Sequence, residues 1–315
     1  MSEFMTQRGA PRVSVVVPAH NVEPWIGKAI ASVLTQTEPS FELLVVDDCS
    51  TDATREVIRS IHDARLRLIE SERNGGTSAA RNRAISQARG EWIALLDADD
   101  WWEPKRLERL LEAASQAKTT MVVDDCYLIE DGAMRPWSRL FRVRGLQIDA
   151  PRLIGAAEFM RLDLGLAKPM IRRDYLIRHC ITFDEQERRA EDFPFYVNCL
   201  LAGASLLGVP DAFYFYRARR GAATSDRVGV NESMTTIADR LARDERVRND
   251  PELRLALARL GHRARSEIRY YELVRFLKAG RIVPAAGVAI RSPGVLWTAA
   301  RHTPTVLRAR RSRVR

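Results

Sequence analysis

The chain has 315 residues, 46% of them hydrophobic, which is enough to bury a full core in one large domain plus an extension and excludes disorder as the default. Fifty Lys and Arg against 41 Asp and Glu leave a net charge of +9, which favours an anionic partner. The polar N-terminus holds no apolar secretory stretch, and residues 197–209 and 282–300 are too short or too interrupted to span a bilayer, so a cytoplasmic protein is expected.

Residues 12–17 form a β-branched run ending at Pro18, and residues 41–46 form a second apolar run ending at Asp47 and Asp48. Both read as buried strands. Between them Ile26, Ile30, Val33 and Leu34 recur at helical spacing, and residues 52–62 and 77–89 carry similar patterns. Residues 65–70 and 91–96 supply two further strands, and Pro104 stands in the first turn of a helix carrying Leu107, Leu110, Leu111 and Ala114. This alternation predicts an α/β fold with a mostly parallel sheet flanked by helices. Ligands bind such sheets beyond the carboxyl ends of the strands, where Pro18 to Asn21, Asp47 with Asp48, and Asp97 to Asp100 all fall.

Residues 121–129 continue as a strand, whereas residues 140–176 mix apolar side chains and arginines without a clear period. Residues 232–277 are again helical in pattern and heavily charged. Beyond Glu272 every charged side chain is basic: Arg275, Lys278, Arg281, Arg291, Arg301, Arg308, Arg310, Arg311, Arg313 and Arg315. Cys49, Cys126, Cys180 and Cys199 lack the spacing of a metal or redox clip and read as reduced thiols.

Leu95-Leu96-Asp97-Ala98-Asp99-Asp100 ends a buried strand in three carboxylates within four residues. That crowding suits a hard divalent cation, Mg²⁺ or Mn²⁺, which keeps waters and takes its other ligands from a diphosphate. A solvated turn capping the next helix explains the same residues about equally well. A second strand ends at Asp47-Asp48, where capping accounts for Ser50 to Asp52 and Asp48 is left for hydrogen bonding to a uracil edge or ribose hydroxyl. The turn from Asn74 through Gly75 and Gly76 to Arg81 and Asn82 lets backbone approach an anionic or sugar ligand closely, or simply starts a helix.

Together and in this order these clusters resemble the family 2 glycosyltransferases, whose nucleotide-binding half has the Rossmann-like GT-A fold. The matching stretches are Val15 to Asn21 with Glu23, Ser32 to Thr37, Val45 to Thr54, Asn74 to Asn82 and Gly90 to Asp100. The resemblance implies that Pro18, Ala19, Asn21, Glu23 and Asp48 line a nucleoside pocket, that Asn74, Gly75, Arg81 and Asp97 contact the donor, and that Asp99 binds the metal. Glu191-Asp192 looks like the family's Glu-Asp pair and makes Asp192 the expected general base, with Glu191 in reserve; on residue pattern alone the preferred reading is that both acids open the helix containing Tyr196, Leu200 and Leu201. Tyr214 to Gly221 resembles the family's closing segment, where arginines clamp a diphosphate.

The implied activity is inverting, metal-assisted transfer of a single sugar, glucose or a related hexose from a UDP donor, to a glycan hydroxyl on a lipid-linked exopolysaccharide intermediate. The basic C-terminus suits an anionic membrane surface, here the inner face of a bacterial cytoplasmic membrane, and nucleic acid is not an expected partner. The alternatives are a catalytically silent nucleotide-sugar-binding or membrane-docking protein and a sugar nucleotidyltransferase. The latter needs a glycine-rich basic loop where this chain has Pro18-Ala19-His20-Asn21. The expected organisation is an N-terminus over 1–11, a nucleotide-sugar-binding half over 12–120, an acceptor-binding half over 121–225, and a helical basic extension over 226–315.

Overall fold

A computed structural model describes residues 9–219, 221–222, 225–292 and 294–300. Arg220 and the six arginines beyond Ala300, all invoked above, lie outside the described residues. The chain divides into two compact units, Met1–Arg220 and Gly221–Arg315.

The first unit begins with the expected alternation: β1 (Val13–Ala19), α1 (Glu23–Leu34), β2 (Phe41–Asp47), α2 (Thr54–Arg59), β3 (Leu66–Glu70), α3 (Thr77–Gln87) and β4 (Trp92–Leu95). It continues with β5 (Trp101–Trp102), α4 (Arg106–Ala117), β6 (Met121–Glu130), β7 (Ser138–Arg139), α5 (Leu140–Arg144), β8 (Arg152–Ile154), α6 (Ala156–Leu162) and β9 (Met170–Arg172). It closes with α7 (Arg173–Arg178), α8 (Asp192–Leu201) and β10 (Leu206–Ala218). The stretch from 140 to 176, which lacks a readable period, consists of elements too short to complete one.

One ten-stranded sheet runs in the order β3-β2-β1-β4-β9-β6-β10-β5, with β7 on β6 and β8 on β10. Strands β1 to β4 are mutually parallel where they pair, and β6 is parallel to β10. The inserted β9 is antiparallel to both β4 and β6, and so joins the two parallel blocks. Every residue of β2 is buried, as expected for a strand covered on both faces.

Strand β1 does not stop at Pro18 but continues to Ala19, in register with Val46 and Asp47. Proline is tolerated because pairing with β4 has already ended at Val16, so its missing N–H faces the side where no neighbour remains. Helix α4 likewise begins at Arg106, two residues later than Pro104 suggested, and buries Leu107, Leu110, Leu111 and Ala114 along one stripe.

That stripe includes a charge. Arg106 is fully buried, donates through Nε and Nη2 to Asp124 on β6, and donates from Nη2 to the Lys168 carbonyl at 2.7 Å. Its guanidinium also lies over Trp102 and Tyr214 at 4.5 and 5.2 Å.

The second unit is helical: α9 (Arg227–Leu241), α10 (Glu245–Arg248), α11 (Pro251–Lys278), α12 (Ile282–Arg291) and α13 (Gly294–Ala300). Asp250 caps α11 by accepting from the N–H groups of Glu252 and Leu253, with Pro251 opening the first turn. Among the described residues no single helix is long and apolar enough to cross a membrane.

Removing Arg106 leaves the Asp124 carboxylate buried and uncompensated. Arg106→Ala is therefore expected to cost about 3–5 kcal/mol in urea unfolding, and a loss below about 1 kcal/mol, the scale of a surface pair, would contradict this role.

Candidate active site

Three groups of side chains meet at the carboxyl ends of β1, β2 and β4. The first is built around Asp48, just past β2. Its Oδ1 accepts from the Gly75 N–H at 3.0 Å and its Oδ2 from the Gly76 N–H at 2.7 Å, so this carboxylate ties the strand end to the glycine turn that starts α3. Gly76 sits at φ +85°, a conformation that favours glycine, and a Cβ on Gly75 would lie 2.8 Å from the Ala79 methyl. His20, between Ala19 and Asn21, lies 2.8 Å from the Asp48 carbonyl and 3.3 Å from the Asn74 amide. Asn21, at φ +51°, accepts from the Thr51 N–H. Glu23 accepts from the Ala53 N–H, and Asp52 accepts from Glu23 and Thr54. Pro18, Ala19, Asn21, Glu23, Asp48, Asn74 and Gly75 are thus brought to one edge. Asp52 does not cap α2, whose N-cap is Ala53 without a side-chain bond; it ties Thr54 to the Glu23 N–H instead.

The second group is a closed ring of charge. Arg81 on α3 is almost wholly buried and donates from Nη2 to Asp97 Oδ1 at 2.7 Å and from Nη1 to Asp192 Oδ1 at 2.8 Å. Lys168, also buried, contacts Asp97 Oδ2 at 2.9 Å and donates to Asp192 Oδ2. Two cations therefore bridge the same two carboxylates from opposite oxygens, and Glu191 adds a third acid by accepting from Arg81 Nη1 at 2.9 Å.

Burial disfavours charge on Asp97, but Lys168 and then Arg81 outweigh it and hold the carboxyl down at about 2. Burial likewise works against charge on Arg81 and Lys168, while Asp192 and Asp97 keep both raised well above their ordinary values. Burial raises Glu191, with Arg81 opposing. Ala190, immediately before this pair, holds φ +56°, and Phe193 donates back to its carbonyl, fixing the entry to α8.

The third group is the rest of the acidic turn. Asp100 does not cap a helix. It is buried, accepts from the Tyr214 hydroxyl at 2.7 Å and from the Arg217 N–H at 2.7 Å, and its pKa lies well above the usual range because of burial and then Asp99 and Asp97. The Tyr214 hydroxyl also accepts from the Asp97 N–H. Asp99 instead meets Arg219: Nε donates to Oδ2 at 2.5 Å, and the guanidinium lies over the Trp25 ring at 4.2 Å. Arg217 donates to the Asp99 carbonyl. Trp102 is buried in the core, whereas Trp101 stacks on Phe215, whose other neighbour is Tyr127.

Among the described residues no three His, Cys, Asp or Glu side chains are grouped to hold a metal. Of the three acids in the turn, Asp97 is committed to the ring and Asp100 to Tyr214 and Arg217. Among the described residues, the Asp99 carboxylate pairs with Arg219.

Lys168 is the main residue that sequence reasoning did not single out. Its signal is a lone cation in the apolar run Leu164-Gly165-Leu166-Ala167-Lys168-Pro169-Met170-Ile171, which demands a partner once that run is buried. Arg188 is another, donating to the Gly75 carbonyl at 2.7 Å from a loop more than one hundred residues away.

A family model described as Glycosyl transferase family 2 matches residues 14–167. The succinoglycan biosynthesis protein ExoO of Rhizobium meliloti (strain 1021) is 38% identical over 215 residues, covering 67% of this chain and 62% of that protein, so this chain spans less than two thirds of its length. ExoU, another succinoglycan biosynthesis protein of the same organism, is 30% identical over 307 residues, covering 93% of this chain and 86% of that protein. The Escherichia coli protein WfgD, named UDP-Glc:alpha-D-GlcNAc-diphosphoundecaprenol beta-1,3-glucosyltransferase, is 44% identical over 96 residues, 30% of this chain and 38% of that protein. Staphylococcus aureus TarS 1-349 in complex with UDP-GlcNAc superposes with a TM-score of 0.67 at 22% identity, covering 90% of this chain and 92% of that one. The mannosyltransferase PcManGT of Pyrobaculum calidifontis, in complex with GDP-Man and Mn²⁺, gives 0.62 at 20%, covering 92% and 84%. The two structures match in fold, the GT-A arrangement.

The ring predicts a pH signature. Asp97 is depressed from 3.8 to about 2 in the folded protein, so its contribution to stability is present above pH 4 and is lost as pH falls toward 2. In Lys168→Met the depression shrinks, and the stability gained between pH 2 and 4 in urea titrations should shrink with it. An unchanged pH dependence would show that Lys168 does not control Asp97.

Proposed function

The chain belongs to glycosyl transferase family 2, and from that premise we propose that it moves a single sugar from a UDP-sugar to a hydroxyl of a lipid-linked glycan, with inversion at the anomeric carbon. The observation that carries this reading is the ring itself, which couples Asp97 at the donor-side strand end to Asp192 at the start of α8 through Arg81 and Lys168.

In this reading Pro18, Ala19, Asn21, Glu23 and Asp48 form the nucleoside side of the pocket, and Asn74, Gly75, Arg81 and Asp97 face the sugar and diphosphate. Asp192 accepts the proton of the attacking hydroxyl. An ionised carboxylate has about four acceptor positions, so the two used by Arg81 and Lys168 leave others for that proton. The ring orients the carboxylate toward a common point with Asp97, and positioned general bases contribute about 10²–10⁴-fold. Glu191 supports a second reading as the base, because burial raises its carboxyl and its contact with Arg81 uses one oxygen.

Asp99 is the residue proposed to hold Mg²⁺ or Mn²⁺, and such an ion supplies electrostatic neutralisation of the departing diphosphate. Arg219 and Arg217 stand beside it, placed to meet phosphate oxygens. The names of WfgD and the UDP-GlcNAc and GDP-Man/Mn²⁺ complexes support a nucleotide-sugar donor, a divalent metal and a lipid-linked acceptor. The run of purely basic charge after Glu272 supports work at the anionic inner face of the cytoplasmic membrane, where each basic side chain contributes about 1 kcal/mol.

Calorimetric binding and turnover across UDP-, GDP- and dTDP-sugars test this. One UDP-sugar is expected to bind in a Mn²⁺-dependent way, and Asp99→Ala should weaken that binding. Asp192→Asn should keep binding while losing about 10²-fold or more in turnover, with Glu191→Gln far less affected. The opposite pattern in the two acid variants moves the base to Glu191, and binding of no nucleotide sugar sinks the transferase reading.

A further inference from the structure

Helix α12 has two apolar faces, and among the described residues of the second unit only one is packed against a partner. Ala285 and Val288 are buried with Leu273 and Val295, against Tyr270 and Phe276. At about 100° per residue, Ile282, Val283, Ala286 and Ile290 share the opposite arc. There Ile282, Val283 and Ile290 are 73%, 83% and 77% exposed. Leu277 at the end of α11 and Leu296 and Trp297 on α13 are also more than half exposed. Six of the 13 exposed large hydrophobic side chains among the described residues therefore fall between positions 277 and 297. A concentration of this kind marks an interaction surface.

The charges around it select the partner. Arg275, Lys278, Arg281 and Arg291 are all exposed, and no acid occurs from Leu273 to Ala300. The nearest acid in sequence, Glu272, is paired with Arg269 at 2.9 Å. A second copy docking through the same face would bring two sets of cations together, which opposes a symmetric dimer. A bilayer of anionic lipid satisfies both features at once, with phosphates meeting the arginines and acyl chains meeting the isoleucines. The surface is not a span: α12 and α13 are bent by 108°, with Arg291 at the break.

We infer that α12 and α13 lie in the plane of an anionic membrane and insert Ile282, Val283, Ile290 and Leu296 below the headgroups, with Lys278, Arg281 and Arg291 at the phosphate level. This specifies how the membrane contact proposed above is made and is independent of the transfer chemistry. It differs from attraction of a basic tail, because insertion survives salt whereas screened charge does not.

The test is co-sedimentation of the full chain with phosphatidylcholine vesicles carrying about 30% phosphatidylglycerol, at low salt and at about 0.5 M NaCl, where surface charge is largely screened. Wild type should bind in both, and Ile282→Asp combined with Ile290→Asp should lower the partition coefficient by about 10-fold or more at either salt. The six arginines beyond Ala300 are present in both proteins, so a purely electrostatic tail predicts equal binding at low salt and none at high salt, which would overturn the inference. So would vesicle-independent self-association in sedimentation velocity that the double substitution abolishes. If that variant melts early, Val283→Ser with Leu296→Ser provides the same comparison with a milder change. Binding of the UDP-sugar is measured separately without vesicles, so loss of one result leaves the other intact.

Discussion

Two buried cations holding two carboxylates, one in the turn after β4 and one at the start of α8, are the constraint on which the rest of this site depends. Arg81 and Lys168 have lost their water, and neither is tolerable alone in that environment. Asp97 and Asp192 are equally dependent on them. Each therefore requires the others, and the requirement spans α3, the end of β4, the segment before β9 and the start of α8. Such a ring contributes little net stability compared with apolar packing, but it defines one arrangement of those four elements and penalises others heavily.

Other contacts carry that constraint outward. Arg106 is bonded both to Asp124 on β6 and to the Lys168 carbonyl, so the core of the β6 side positions the backbone that presents the lysine. Asp48 fixes the glycine turn, and that turn starts the helix that presents Arg81. Tyr214 reaches from β10 to bind Asp100 and the Asp97 N–H together, locking the acidic turn at the mouth of β4. Asp99 pairs with Arg219 through its carboxylate and with Arg217 through its carbonyl. A single acidic turn thus divides its three carboxylates among a charge ring, a structural lock and an ion pair with Arg219.

The second unit follows a different economy of residues. Its α11 is stabilised locally by Asp250 and Pro251 and buries mainly small and leucine side chains, whereas α12 keeps large aliphatics on the outside. The arginines around those aliphatics are consistent with a partner that offers hydrocarbon and negative charge together, which charge counting along the sequence captured only in part.

Sequence by itself determined the family and the alternating α/β order, because β-branched runs and helical spacing are local properties that hold wherever the chain is placed. It also brought Pro18, Asp48 and Asp97 to the same kind of position, since a parallel sheet puts all its strand ends on one edge. Tertiary structure alone decided which acid meets which cation. Lys168 and Asp192 are 24 positions apart, Arg81 and Asp192 are 111 apart, and no periodicity links such pairs. The continuation of β1 through Pro18 was likewise invisible in the sequence, because it depends on where the β4 ladder stops. Patterning records which side chains must leave water, and only the closed fold assigns the partners that make their burial possible.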